Sequence, residues 1–154
     1  MRLVGASTFN VHELVEAGPY PTIQNNRQHG FRVQDGSYLQ VAATIQNNDA
    51  SGVSADLGSN LRVVLATITG NGADGVTLRS STARMGPGLT ITNNAGHGVA
   101  VGSLAFMRLT GGNSITGNTT GPDVHCGSAT AVTAGAVDPP GRLGGGSTNC
   151  TDAP

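Results

Sequence analysis

The chain is predicted to be all-β: a parallel β-helix of about five to six coils, with three short strands in each coil. Three observations carry that prediction. First, an Ile is followed three residues later by an Asn five times, pairing Ile23 with Asn26, Ile45 with Asn48, Ile68 with Asn71, Ile91 with Asn94 and Ile115 with Asn118. Second, the intervals between these Asn residues are 22, 23, 23 and 24, the range of periods that marks stacked repeats. Third, Gly30, Gly52, Gly75 and Gly98 stand four places after the first four Asn residues, and Asp123 falls one place later in the last copy.

Each coil then divides into strands and corners. The first strand is a short alternating run: Phe31-Arg32-Val33, Val53-Ser54-Ala55, Val76-Thr77-Leu78, Val99-Ala100-Val101 and Val124-His125-Cys126. A period of two places the outer residues inward and the middle one outward. A turn at Ser37, Ser59, Ser81 or Ser103 follows. It leads to the second strand: Tyr38-Leu39-Gln40-Val41, Asn60-Leu61-Arg62-Val63, Thr82-Ala83-Arg84-Met85 and, with two extra residues, Phe106-Met107-Arg108-Leu109. The third strand carries the inward Ile between outward Thr, Ser or Gln neighbours. Asn suits the tight corner that follows, because it tolerates left-handed backbone. Stacked on one corner, Asn26, Asn48, Asn71, Asn94 and Asn118 are expected to form an amide ladder. No coil buries its own apolar face, so stability must come from neighbours. No stretch reads as a helix.

The two ends differ. Ser7-Thr8-Phe9-Asn10-Val11 matches Ser37-Tyr38-Leu39-Gln40-Val41 position for position. The chain therefore reads as opening inside a coil, either as the C-terminal portion of a longer β-helix or with an open end that pairs with another chain in a homo-oligomer. At the other end the rhythm stops after Cys126-Gly127. We expect coils over residues 1–127 and an irregular tail over 128–154 that caps the last one. A disulfide from Cys126 to Cys150 would pin that tail. Two Cys at the end of a weakly charged solenoid point to an oxidising compartment. No Cys or His neighbours complete a metal site.

Composition excludes some classes. Eight basic residues, all Arg, face nine acidic ones for a net charge of -1, which argues against a nucleic-acid partner. Charged residues are 11%, below the roughly 25% usual for globular chains. No stretch approaches the 18 or so apolar residues of a membrane span. No signal peptide is visible, so either the protein is cytosolic or its signal is absent from this chain; the paired Cys favour the second reading and a secreted or periplasmic location.

The coil pattern over residues 1–127 resembles the right-handed parallel β-helix repeats of pectate lyases, polygalacturonases, phage tailspikes and many secreted bacterial proteins. The resemblance implies the right-handed single-stranded fold. It implies no one activity, because this fold hosts many. Lyases of this kind that act on polyuronates use Arg on an exposed face as a base, but no lyase motif, calcium-loop spacing or paired-Asp pattern is present here.

Stacking brings distant residues into columns where chemistry could arise. Gln40, Arg62, Arg84 and Arg108 share the outer face of the second strand, and Arg suits bidentate contact with the carboxylates of acidic sugars. Asp74 and His97 fall on adjacent coils just before the Gly column, with Ser51 on the far side of Asp74. A triad needs His in the middle, so this order fits one poorly. The outward hydroxyls of Thr67, Thr69, Thr90, Thr92, Ser114 and Thr116 make a Thr ladder like that of β-helical antifreeze proteins. An insertion between Ser7 and Ile23 holds His12, Glu13 and Glu16, which could do acid–base work or shield the open end. The sequence thus predicts a non-catalytic carbohydrate-binding or structural β-helix domain without cofactor. The alternatives are a lyase or hydrolase of acidic polysaccharide and a self-associating assembly module.

Overall fold

The computed structural model of the protein describes residues 1–11, 19–102, 104–127 and 145–150. Its described strands form three sheets and no helix. The first sheet stacks β1 (Arg2–Leu3), β4 (Phe31–Val33), β7 (Val53–Ala55), β10 (Val76–Arg79), β13 (Val99–Gly102) and β16 (Val124–Cys126). The second stacks β2 (Thr8–Asn10), β5 (Tyr38–Val41), β8 (Asn60–Val63), β11 (Thr82–Met85) and β14 (Phe106–Leu109). The third stacks β3 (Thr22–Gln24), β6 (Thr44–Gln46), β9 (Thr67–Thr69), β12 (Thr90–Thr92) and β15 (Ser114–Ile115). Every pairing is parallel, and each strand pairs with its counterpart one coil away. Val76 lies between Val53 and Val99, Arg84 between Arg62 and Arg108, and Ile91 between Ile68 and Ile115.

That register makes the core a set of columns. Ile45, Ile68, Ile91 and Ile115 are fully buried, as are Val53, Val76, Val99 and Val124. Like side chains therefore stack on like, and each buried methyl column packs against the other two sheets. Because the interior is thin, one column must be small. A Cβ added at Gly75 would sit 2.5 Å from Ile91 Cγ2, 2.6 Å from the Gly98 carbonyl oxygen and 3.0 Å from Asn94 Nδ2. Gly30, Gly52 and Gly98 meet the same kinds of atoms on the next coil. The Asn-x-x-x-Gly spacing is thus a close-packing rule: the Gly makes room for the next coil's Ile and ladder Asn.

The predicted ladder is present. Asn26 Nδ2 donates to Asn48 Oδ1 (2.7 Å), Asn48 to Asn71 (2.9 Å), Asn71 to Asn94 (2.9 Å) and Asn94 to Asn118 (2.9 Å). Each Oδ1 from Asn48 to Asn118 also accepts the backbone N–H of the preceding rung. Corner geometry is divided differently from the sequence expectation. The left-handed residues are those just before the ladder: Asn25, Asn47 and Asn93 at φ 58°, 53° and 55°, and Gly70 and Gly117 at φ 63° and 69°. The ladder Asn turns its amide inward, while its predecessor takes the strained backbone.

Beyond Asn118 the ladder ends on Asp123, whose Oδ1 accepts from Asn118 Nδ2 (3.0 Å) and Asn118 N (3.1 Å). Residues 145–150 lie beside that carboxylate. Ser147 N donates to Asp123 Oδ2 (3.1 Å), and Val124 N donates to the Ser147 carbonyl (2.9 Å). Thr148 bridges Val124 in parallel, and Asn149 brackets Cys126 through both its side-chain atoms. Cys126 and Cys150 form a disulfide with their Cα atoms 5.1 Å apart.

Candidate functional site

The outward residues of the second sheet form two parallel columns, because alternate positions of β8, β11 and β14 face solvent and β5 stacks on β8 in the same register. One column is Tyr38, Asn60, Thr82 and Phe106; the other is Gln40, Arg62, Arg84 and Arg108. All of these except Gln40, together with Leu61 and Ala83, line an open groove of about 440 Å³. The sequence-predicted column is therefore brought together in full. Gln40 is the most covered of the four, at 8% exposure. Its Oε1 accepts from Tyr38 OH (3.0 Å) and from Arg62 Nη1 (3.2 Å), which orients the first guanidinium of the row. In the other column Thr82 OH donates to Asn60 Oδ1. Among the described residues the lining contains no carboxylate, so none of them gives the three guanidinium groups an acidic partner within the groove. Sequence reasoning named the Arg column but missed the aromatic ends, Tyr38 and Phe106. The signal was available, since both sit two places before a column residue on the same face.

Asp74 and His97 are neighbours, but through the backbone. Asp74 Oδ1 accepts the His97 backbone N–H (2.8 Å), and Oδ2 accepts Thr77 OH (3.0 Å). Thr77 gives its proton to that carboxylate, so Ser51, whose Oγ lies 3.0 Å from Thr77 Oγ1, is the donor in that pair. The His97 ring turns its Nδ1 to the Pro122 carbonyl (2.7 Å) and stacks on His125 with centroids 4.4 Å apart. A hydroxyl activated by an imidazole is therefore not assembled at Ser51, Asp74 and His97. His12, Glu13 and Glu16 lie outside the described residues. The Thr ladder is in register, with Thr69 and Thr92 hydroxyl oxygens 3.5 Å apart, while Gln46 bonds to Gln24 at 2.7 Å on the earlier coils.

A second polar region, absent from the sequence reading, lies on the outer face of the first sheet. Arg2 and Arg32 are direct partners across β1 and β4, and Arg27 stands at the corner just past Asn26. These three, with Asn26, Gln28 and His29, line a pocket of about 280 Å³ that also touches Met1. His29 and Arg32 are shared with a neighbouring cavity of about 240 Å³ that holds Asp56, Asp74 and Arg79. Burial, and after it the Arg32 guanidinium, holds the His29 imidazole below its ordinary pKa; hydrogen bonding at the Ser51 backbone and the Asp56 charge oppose this. Sequence reading missed this cluster because its members come from a strand face, a corner and the first strand, which share no single column. Among the described residues no group of three or more His, Cys, Asp or Glu could hold a metal ion, and no helix is long and apolar enough to cross a membrane.

A family model described as "right handed beta helix region" matches residues 20–136. No curated protein and no solved structure matches the chain significantly.

Proposed function

Because the chain belongs to the right-handed β-helix family, we propose that its function lies on the outer faces of the coils, and that the second sheet binds an acidic polysaccharide without cleaving it. One observation carries this reading: three guanidinium groups stand on successive coils in a groove with no carboxylate among the described residues, between Tyr38 and Phe106. Successive coils rise about 4.8 Å, comparable to one pyranose ring. Consecutive acidic sugars laid along the solenoid axis would each meet one Arg, while sugar faces rest on the aromatic ends. Gln40 holds Arg62 in place, which reduces the side-chain entropy lost on binding. We place the protein in an oxidising, extracytoplasmic setting, a reading supported by the Cys126–Cys150 disulfide.

The test is calorimetric titration with polygalacturonate and with a neutral glucan. Binding to the polyuronate that falls with added salt and weakens in Arg62→Ala and Arg84→Ala supports the reading. No binding to any acidic or neutral glycan sinks it. Release of unsaturated or reducing ends during the titration would move the assignment to a lyase or hydrolase.

A further inference from the structure

We propose that the pocket formed by Arg2, Arg27, His29 and Arg32 is a separate binding site for a compact oxyanion, such as a carboxylate, sulfate or phosphate group. The argument begins with charge. Three of the eight Arg residues of a chain with net charge -1 converge on one pocket, and none of its described lining residues is acidic. Arg2 and Arg32 face each other across adjacent strands, a like-charge arrangement that disfavours the fold on its own. Unpaired polar atoms point the same way. Arg32 Nε, a donor, and His29 Nδ1, a donor once the ring is protonated, are both buried and have no hydrogen-bond partner among the described residues, an arrangement native structures avoid unless something fills it. Arg2 is positioned by its Nε bond to Gln34 Oε1 (3.2 Å). One oxyanion placed between these groups relieves the Arg–Arg repulsion and supplies an acceptor to both orphaned nitrogens. Guanidinium forks favour such anions over chloride, because they present paired donors to paired oxygens.

The carboxylates nearby do not fill this role. Asp74 is already engaged by Thr77 and by the His97 backbone, and Asp56 lines the adjoining cavity. The charged groups facing His29 are Arg2, Arg27, Arg32 and the Met1 amine on one side, and Asp56, Asp74 and Arg79 on the other. An anion on the basic side favours the imidazolium form, so binding takes up a proton and tightens as pH falls toward the His29 pKa.

The experiment is NMR of the His ring nitrogens in the labelled chain. Sodium sulfate, phosphate and acetate are titrated separately at constant ionic strength, which distinguishes the three oxyanion sources. The expected result is a saturable shift at His29, with its pKa raised, while His97 and His125 stay put. Arg32→Gln weakens the response by roughly tenfold or more, as loss of a charge-assisted hydrogen bond should. Arg27→Gln, at an exposed corner, weakens it by a smaller factor and carries the test if Arg32→Gln fails to fold. Arg84→Ala leaves the oxyanion response intact, which separates this site from the polysaccharide groove. A linear drift that is equal for all anions and unchanged in Arg27→Gln is ionic screening, and it would overturn the proposal.

Discussion

Replacing Asn71 with Ala removes the central rung of the amide ladder, and its cost can be worked from the bonds that disappear. Asn71 is 1% exposed. Its Oδ1 accepts from Asn48 N (3.2 Å) and Asn48 Nδ2 (2.9 Å), and its Nδ2 donates to the Ile45 carbonyl (3.3 Å) and Asn94 Oδ1 (2.9 Å). Four interior bonds are lost, and their partners are left without water. At a net value near 1 kcal/mol for each, the cost is about 3–4 kcal/mol. Asn26→Ala provides the scale. Asn26 loses only its bond to Asn48 Oδ1 and a long one to the Gln24 carbonyl (3.4 Å), while its backbone N–H keeps its acceptor. That substitution should cost about 1 kcal/mol. Urea unfolding followed by far-ultraviolet circular dichroism measures both. If Asn71→Ala costs no more than Asn26→Ala, the ladder is a consequence of the fold and not one of its supports.

Four further outcomes are expected. Gly75→Ala forces a methyl against Ile91 and the Gly98 carbonyl and should destabilise by about 1–3 kcal/mol, as overpacking does; Gly111→Ala, with open space around it, should be nearly neutral in the same unfolding assay. Reducing Cys126–Cys150 opens a 25-residue loop and should cost about 3–4 kcal/mol in the chain-entropy picture, read as a lower melting temperature with reductant. Burial raises the Asp123 pKa, but hydrogen bonds from Asn118 and Ser147 outweigh it and the net direction is down. Its stabilisation is therefore full above the ordinary Asp value and lost as pH falls through the lower folded value, and Asp123→Asn should flatten the acid limb of stability against pH. Polyuronate affinity should drop further in the Arg62→Ala, Arg84→Ala double variant than in either single one, and a double variant that binds like the wild type would remove the groove from consideration.

Legibility in the sequence followed the repeat. Positions that recur once per coil were readable, because parallel stacking places equal phases on top of one another; the Ile columns, the ladder and the row through Arg62, Arg84 and Arg108 all follow from the interval alone. What broke phase was hidden. Asp123 acts as the last rung although it lies only five residues from Asn118, because the corner there turns back on itself. Asn113, buried with its Oδ1 on Leu89 N (3.1 Å), fastens a corner that has no counterpart in the earlier coils. The basic pocket joins a strand face to a corner, two different phases of the coil. The left-handed φ fell one residue earlier than the ladder because an amide turned inward and a reversal of the backbone are separate jobs for adjacent residues.

Every Asn of the ladder donates one Nδ2 proton to the next rung, and each from Asn48 onward accepts from the rung before it, while its other Nδ2 proton goes to an Ile carbonyl one coil back. Five amide groups are therefore aligned head to tail, and their dipoles add along the axis as peptide dipoles add in a helix. The positive end of that row arrives at Asp123, the one rung that carries an anion. An ionised carboxylate accepts but cannot donate, so the row has nothing left to pass on. The solenoid thus has an electrical polarity along its length, and the side chain that ends the amide row is also the one best suited to neutralise it.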